Sequence, residues 1–285
     1  MHQTYVALDL ETTGLDPRRD AIMEVGVVRF RVSLGNDTVQ SQVVDSWSSF
    51  VNPGRPVPIQ VQQLTGITSE QVMRAPRFGQ VVSQLRRFVG DSPVVGHSIS
   101  LDLGFLRQND CPLPNLAVDT FELASILVPH AARYSLVKLG EKLGLPNLCT
   151  HRALEDARAS YAVFLRLYEE ALNLPIDLVA EFVRLSEPFD WGASWLFSQV
   201  LKFQSHQPVS ARHAHDSHHG PLFGGELQPL APPLDPVEFP QPLDPEELVA
   251  LLDYAGPFAK YFESYEHRPQ QIEMLRAVTN ALSKG

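Results

Sequence analysis

The sequence predicts an α/β fold: a mixed β-sheet flanked by helices, with a helical C-terminal extension. Two observations carry that reading. Within the first 51 residues the apolar positions fall in short β-branched runs separated by tight turns, which suggests an antiparallel meander. From Val81 onward they recur mainly at helical spacing, interrupted by two brief strand-like pieces. The resulting order, βββ and then αβαβαα, describes helices packed on a mixed sheet and excludes a TIM barrel or a purely doubly wound fold.

Tyr5–Leu10 reads as a buried strand ending in the polar turn Glu11-Thr12-Thr13-Gly14. Ala21–Arg31 and Val43–Val51 are the next two strands, with Asp16-Pro17 and Gly35-Asn36-Asp37 as turn signals between them. Val81, Val82, Leu85, Phe88 and Val89 mark the first helix. Val94-Val95 is a short strand stopping at Gly96, Leu101–Leu106 begins a helix, and Leu116–Val118 is again strand-like. Tyr134–Leu143 and Ala153–Leu172 are helical, and Leu178–Phe203 continues as amphipathic helix. Residues 1–172 are expected to form the main domain and 173–203 a helical extension. Residues 204–244 are rich in proline and hold five of the ten histidines, a composition suited to an extended linker. Residues 245–285 turn helical again.

Composition narrows the function classes. With 44% hydrophobic and 20% charged residues, the chain of 285 is an ordinary globular sequence rather than a disordered or fibrous one. No apolar run approaches the ~18 residues of a membrane span, so no membrane partner is expected. Asp9 and Glu11 break the early apolar run, and no basic segment precedes it, so no signal peptide is read there. Two cysteines, Cys111 and Cys149, make no disulfide framework, and a reducing cytoplasmic setting is expected. The net charge of −10 is unevenly spread. Up to Leu172 there are 16 basic and 18 acidic residues, against 7 and 15 beyond it. A nearly neutral first part can bind phosphates through a local basic rim and bound cations.

Three short constellations carry chemistry. In Asp9-Leu10-Glu11, positions i and i+2 of a strand present two carboxylates to one side. Gly96-His97-Ser98 is followed by Asp102, an acid one turn into a helix. His151 precedes the long helix that carries Asp156 in its first turns. Each alone has an ordinary reading: a solvated strand end, an acid favouring a helix N-terminus, a loop histidine.

Taken together, the chain order Asp-x-Glu, Asp, His, Asp resembles the DEDDh branch of the DnaQ-like 3′–5′ exonucleases. Glu24-Val25-Gly26-Val27-Val28, Leu64-Thr65-Gly66-Ile67-Thr68 and Tyr134-Ser135-Leu136-Val137-Lys138-Leu139 are similar to that family too, and the likeness spans roughly Thr4 to Leu172. It departs at Ser98, where the family usually has Asn, and at Leu101, where it has Phe.

The resemblance implies an RNase H-like fold and release of nucleoside 5′-monophosphates from nucleic acid with a free 3′ end, single-stranded DNA foremost. It implies two divalent metal ions, Mg²⁺ or Mn²⁺, held by Asp9, Glu11, Asp102 and Asp156. Hard oxygen ligands suit those cations. A metal pair ~3.5–4 Å apart can activate water and stabilise the leaving oxygen. His151, with a reference pKa of ~6.5, is implied as the general base. Thr12, Thr13 and His97 are candidate contacts to the terminal nucleotide, and Leu15, Leu64 and Ile67 candidate apolar neighbours of its base. Rival readings are a stand-alone proofreading or short-RNA exonuclease, and an idle nucleic-acid-binding domain that loads a helicase.

The segment Tyr265-Glu266-His267-Arg268-Pro269-Gln270-Gln271 is more faintly similar to the start of DinG-type helicase modules. That likeness implies adenine contacts by Tyr265, Arg268 and Gln271 and a helicase module as partner in a longer protein. The sequence contains no G-x-x-x-x-G-K-[ST] loop, so no ATPase of that type is expected within it.

Overall fold

A computed structural model describes residues 2–35, 39–145, 151–189, 191–206, 243–254, 256–261 and 265–284. The expected linker over 204–244 and Cys149 fall wholly or mostly outside these residues. The chain divides into two compact units, Met1–His219 and Gly220–Gly285.

The first unit opens with three long strands, β1 (His2–Thr12), β2 (Ile22–Leu34) and β3 (Val39–Phe50). They form the antiparallel meander that the turn residues indicate. Short helices α1 (Ile59–Thr65) and α2 (Ser69–Met73) follow, then α3 (Phe78–Val89). Strand β4 (Val94–Gly96), helix α4 (Ser100–Gln108), strand β5 (Ala117–Asp119) and helix α5 (Thr120–Leu127) come next. Helices α6 (Leu136–Lys142), α7 (Ala153–Leu172), α8 (Ile176–Ser186) and α9 (Gly192–Ser205) follow among the described residues of this unit. The sheet order is β3-β2-β1-β4-β5, with β4 and β5 parallel to β1. The expected mixed sheet with flanking helices is therefore the fold.

Strand alternation separates two cores. Val6, Leu8 and Leu10 of β1 join Val25 and Val27 of β2 against α3 and α4. Tyr5 and Ala7 point the other way and join Val28 and Phe30 under α5, α7 and α9. Asp9 and Glu11 continue the Tyr5–Ala7 face, so the strand directs both toward the layer that holds α7. Helix α7 is built from good helix formers and buries Ala153, Ala157, Ser160, Phe164, Leu167 and Ala171 at spacings of three and four. Burying a side chain such as Phe164 contributes about 1.5–3 kcal/mol.

The structure differs from expectation in three places. Residues 176–205 form two helices, because Pro188 follows the end of α8 and cannot sit inside a helix. Both pack into the core of the first unit through Val179, Ala193, Leu196, Phe197 and Val200, so the helical extension is built into the main fold. Helices α1, α2 and α5 lacked a visible period, being only 7, 5 and 8 residues long. In β3, Arg29 pairs with Asp45 and Phe30 with Val43, leaving Val44 as an extra residue in a bulge.

The second unit holds α10 (Pro245–Leu251), α11 (Pro257–Tyr261) and α12 (Pro269–Lys284). Asp244 caps α10 by accepting from Glu246 N–H at 2.9 Å, and Arg276 pairs with Glu246 at 2.9 Å.

Gly26 fixes how closely the layers meet. A Cβ built there would lie 2.2 Å from the backbone of Ala153 and Leu154 at the start of α7. Gly26→Ala is expected to push that helix end away and destabilise the protein by about 1–3 kcal/mol, as overpacking does. Urea unfolding checks this: an unchanged midpoint would show that the contact yields freely.

Candidate active site

The site forms where β1 runs beyond its parallel neighbour. Strand β4 pairs with β1 only at Val6 and Ala7, and Val6 N–H donates to Pro93 O on that side. Leu10 lies four residues further along the same edge, past the end of β4. Asp102, in the first turn of α4, fills the gap: its Oδ1 accepts from Leu10 N–H at 2.9 Å. One carboxylate thus reaches the end of β1 from the opposite helix layer.

From the other layer comes Asp156. Carboxylate oxygens of Asp9, Glu11 and Asp156 all lie within 4.8 Å of one another. The structure thereby brings together three of the four acids expected to hold metal. Asp102 stands outside this trio but remains a close electrostatic neighbour of Asp9.

The electrostatics follow from burial and like charge. Burial, and then Asp102, Asp156, Glu11 and Glu24, hold the Asp9 carboxyl well above the usual carboxylate range. Burial, and then Asp156, Glu24 and Asp102, push Glu11 up to about 8, while Arg152 opposes the rise. Burial pushes Asp102 up to about 7 against the stabilising N–H of Leu10. Crowded carboxylates of this kind retain protons or take up cations, and an all-oxygen donor set suits a hard divalent ion. The residues present therefore fit Mg²⁺ or Mn²⁺.

Other expected residues have defined places. His151 is partly exposed and has φ of +49°, a left-handed backbone that a non-glycine residue adopts only when its surroundings hold it there. Ser98 is also left-handed, with φ of +57°, and its N–H donates to Asp119 Oδ1 at 2.9 Å. Asn tolerates that conformation better than Ser, so the backbone does not explain Ser at this position. The Nδ1 of His97 sits 2.9 Å from the Thr120 hydroxyl, and its ring packs edge-on to Phe121. Burial lowers the His97 pKa, opposed by Asp119 and by a bond to the backbone of Tyr134. It thus ties β4 to α5 and to the segment before α6.

The Thr12 hydroxyl donates to Gly14 O at 2.6 Å. The buried Thr13 bonds to Ala21 through both its N–H and its hydroxyl. Both threonines brace the turn that carries Leu15, which is 78% exposed. Leu64 is 58% exposed, whereas Ile67 is only 1% exposed and packs on Met23, Val57 and Val72. Ile67 is thus a core residue, and its burial removes it from contact with a base. In the second unit the Tyr265 hydroxyl donates to Leu252 O, Arg268 pairs with Glu266 at 2.7 Å, and Gln271 lies in the first turn of α12.

Two residues beside the site carry no expected role in the sequence reading, Glu24 and Arg152. Their Nη2···Oε1 distance is 2.8 Å, and Glu24 faces Glu11 directly across β1 and β2. The available signal was a glutamate inside a run of β-branched residues that the core buries.

The arrangement defines a class: an α/β domain with a carboxylate cluster at the end of its central strand. Comparison with known proteins agrees. The Exonuclease family model matches residues 6–164, and the chain belongs to that family. The chain is 34% identical over 207 residues to the PolC-type DNA polymerase III of Thermotoga maritima, covering 71% of this chain and 14% of that protein. It is 30% identical over 213 residues to the 3′–5′ exonuclease DinG of Bacillus subtilis, covering 73% of this chain and 22% of that protein. It thus spans less than a quarter of either relative. Among solved structures, the zinc-bound complex of E. coli exonuclease I with single-stranded DNA is similar at a TM-score of 0.50 and 15% identity. That likeness covers 64% of this chain and 44% of that one, and it shows the fold, RNase H-like.

Protonation and metal uptake should compete. Between the ordinary carboxylate range and about pH 8 the metal-free native state holds protons that the unfolded chain has released. Its stability should therefore fall as pH rises from 5 to 8, and Mn²⁺ affinity should rise over the same window with release of protons. Thermal melts in EDTA, and calorimetry in buffers of different ionisation enthalpy, check both signs.

Proposed function

We propose that this protein is a metal-dependent 3′–5′ exonuclease that releases nucleoside 5′-monophosphates from nucleic acid with a free 3′ end, single-stranded DNA foremost. The observation that carries this is the meeting of Asp9, Glu11 and Asp156 oxygens within 4.8 Å in a member of the Exonuclease family. Asp9, Glu11, Asp156 and the neighbouring Asp102 hold two divalent cations, Mg²⁺ or Mn²⁺. Bound there, such cations neutralise charge that builds on the phosphoryl and leaving oxygens.

The chain's own residues do the rest. His151 takes a proton from the attacking water. The exposed side chains of Leu15 and Leu64 offer apolar surface to the terminal base, which favours stacking over base reading. Because the relatives named above are much longer, we place this activity within a larger protein, the second unit beginning a helicase-like module. We place this work in the cytoplasm; among the described residues no helix is long and apolar enough to cross a membrane.

A 5′-labelled single strand with Mg²⁺ should be shortened progressively from its 3′ end, and EDTA should stop the reaction. Asp156→Ala should abolish cleavage while circular dichroism shows the variant folded, since the oxygen trio that would hold the metal is broken. Internal cuts in a circular single strand, or full activity of the variant, would sink the reading. His151→Ala should slow single-turnover cleavage by ~10²–10⁴-fold with metal affinity retained. A near-normal rate would remove His151 as the base.

A further inference from the structure

The acid cluster contains one carboxylate that the proposed chemistry does not use. Glu24 is 3% exposed at its side chain and stands directly opposite Glu11, where a like charge is costly. It adds to the repulsion felt by both Asp9 and Glu11. A neutral side chain would fill the same space without that penalty, so packing alone does not account for it.

What Glu24 does have is a complete set of donors from one short segment. Arg152 Nε donates to Oε2 at 3.1 Å and Nη2 to Oε1 at 2.8 Å, a two-pronged pairing with fixed geometry. The N–H of Ala153 donates to Oε2 at 3.1 Å. Arg152 is the N-cap residue of α7 and its side chain makes no cap bond, so Glu24 satisfies a helix N–H from a neighbouring strand. The outer face of the guanidinium lies over the Phe50 ring, 5.1 Å from its centre. Strand β2, strand β3 and the helix start thus grip one arginine.

The residue just before that arginine is His151, whose left-handed backbone needs an external restraint. Helix α7 has its own restraint, the packing of Ala157, Phe164 and Leu167 in the core. The brace acts on Arg152, the residue that joins the start of α7 to the histidine. We propose that Glu24 and Arg152 are positioning residues that set the reach of His151, an inference that rests on the exonuclease reading above.

The test is a double-mutant cycle on single-turnover cleavage of a 5′-labelled single strand at saturating Mn²⁺. Arg152→Lys keeps the positive charge beside Glu24 and loses the two-pronged grip. Glu24→Gln keeps an acceptor for Ala153 N–H and loses the ion pair. Each should lower kcat by roughly 10–10²-fold with KM for DNA changed less than ~3-fold, because misaiming a catalytic group costs rate rather than binding. In a His151→Ala background the same substitutions should cost less than ~3-fold, since there is no imidazole left to aim. Circular dichroism and melting curves confirm that each variant is folded, and Arg152→Lys stands as the decisive arm if Glu24→Gln is not.

Two outcomes overturn the proposal. One is a wild-type rate in folded Arg152→Lys. The other is an equal fold-loss with and without His151, the mark of a merely structural role. If His151→Ala itself is unimpaired, the general-base reading falls first and the brace falls with it; that result is seen in the single variant before the cycle is closed.

Discussion

Like charges confined at the end of one central strand set the terms for the rest of the first unit. Asp9 and Glu11 share a face of β1 because residues two apart on a strand must. Asp156 arrives from α7 and Asp102 from α4, so the two helix layers converge on the same strand end from opposite sides. Like charges so close are unfavourable unless protons or cations intervene. The long antiparallel pairing of β1 with β2 and the twofold burial of the sheet supply the stability that tolerates this. Active sites commonly concentrate such locally unfavourable features on a rigid frame.

The frame also explains why the acids can meet. Strand β1 outruns β4, which exposes the edge that Asp102 occupies. Gly26, paired with Asp9 across the sheet, has no side chain, so the backbone of α7 can descend onto β2 and bring Asp156 down with it. A register shift between Glu11 and Thr12 ends the regular pairing beside the site, and the turn braced by Thr12 and Thr13 begins there.

Much of this was legible in the sequence. The short apolar run before Asp9 indicated a buried strand, strand geometry indicated that Asp9 and Glu11 share a side, and the pattern of α7 placed Asp156 near its start. What escaped was set by tertiary geometry rather than local pattern. Ile67 looks like an available apolar residue until α1 and α2 fold it onto Met23 and Val57. Arg152 looks like a routine exposed arginine until β2 places Glu24 under it, 128 positions away in sequence. Short helices such as α2 carry too few residues for a period to show, and α8 and α9 read as one until the proline between them is given its due.

Strand β3 is the outer edge of the sheet, and an edge of this length is a template onto which another strand could add. The bulge at Val44 interrupts its ladder midway, and the adjoining Asp45 places a charge beside the break. A bulge raises local twist and spoils the flat register that a docking strand requires. The half-exposed pair Val43 and Val44 would otherwise make this edge adhesive. The irregularity in β3 therefore acts as a guard on solubility: it lets a site-bearing sheet stay open along one side without inviting other chains to extend it.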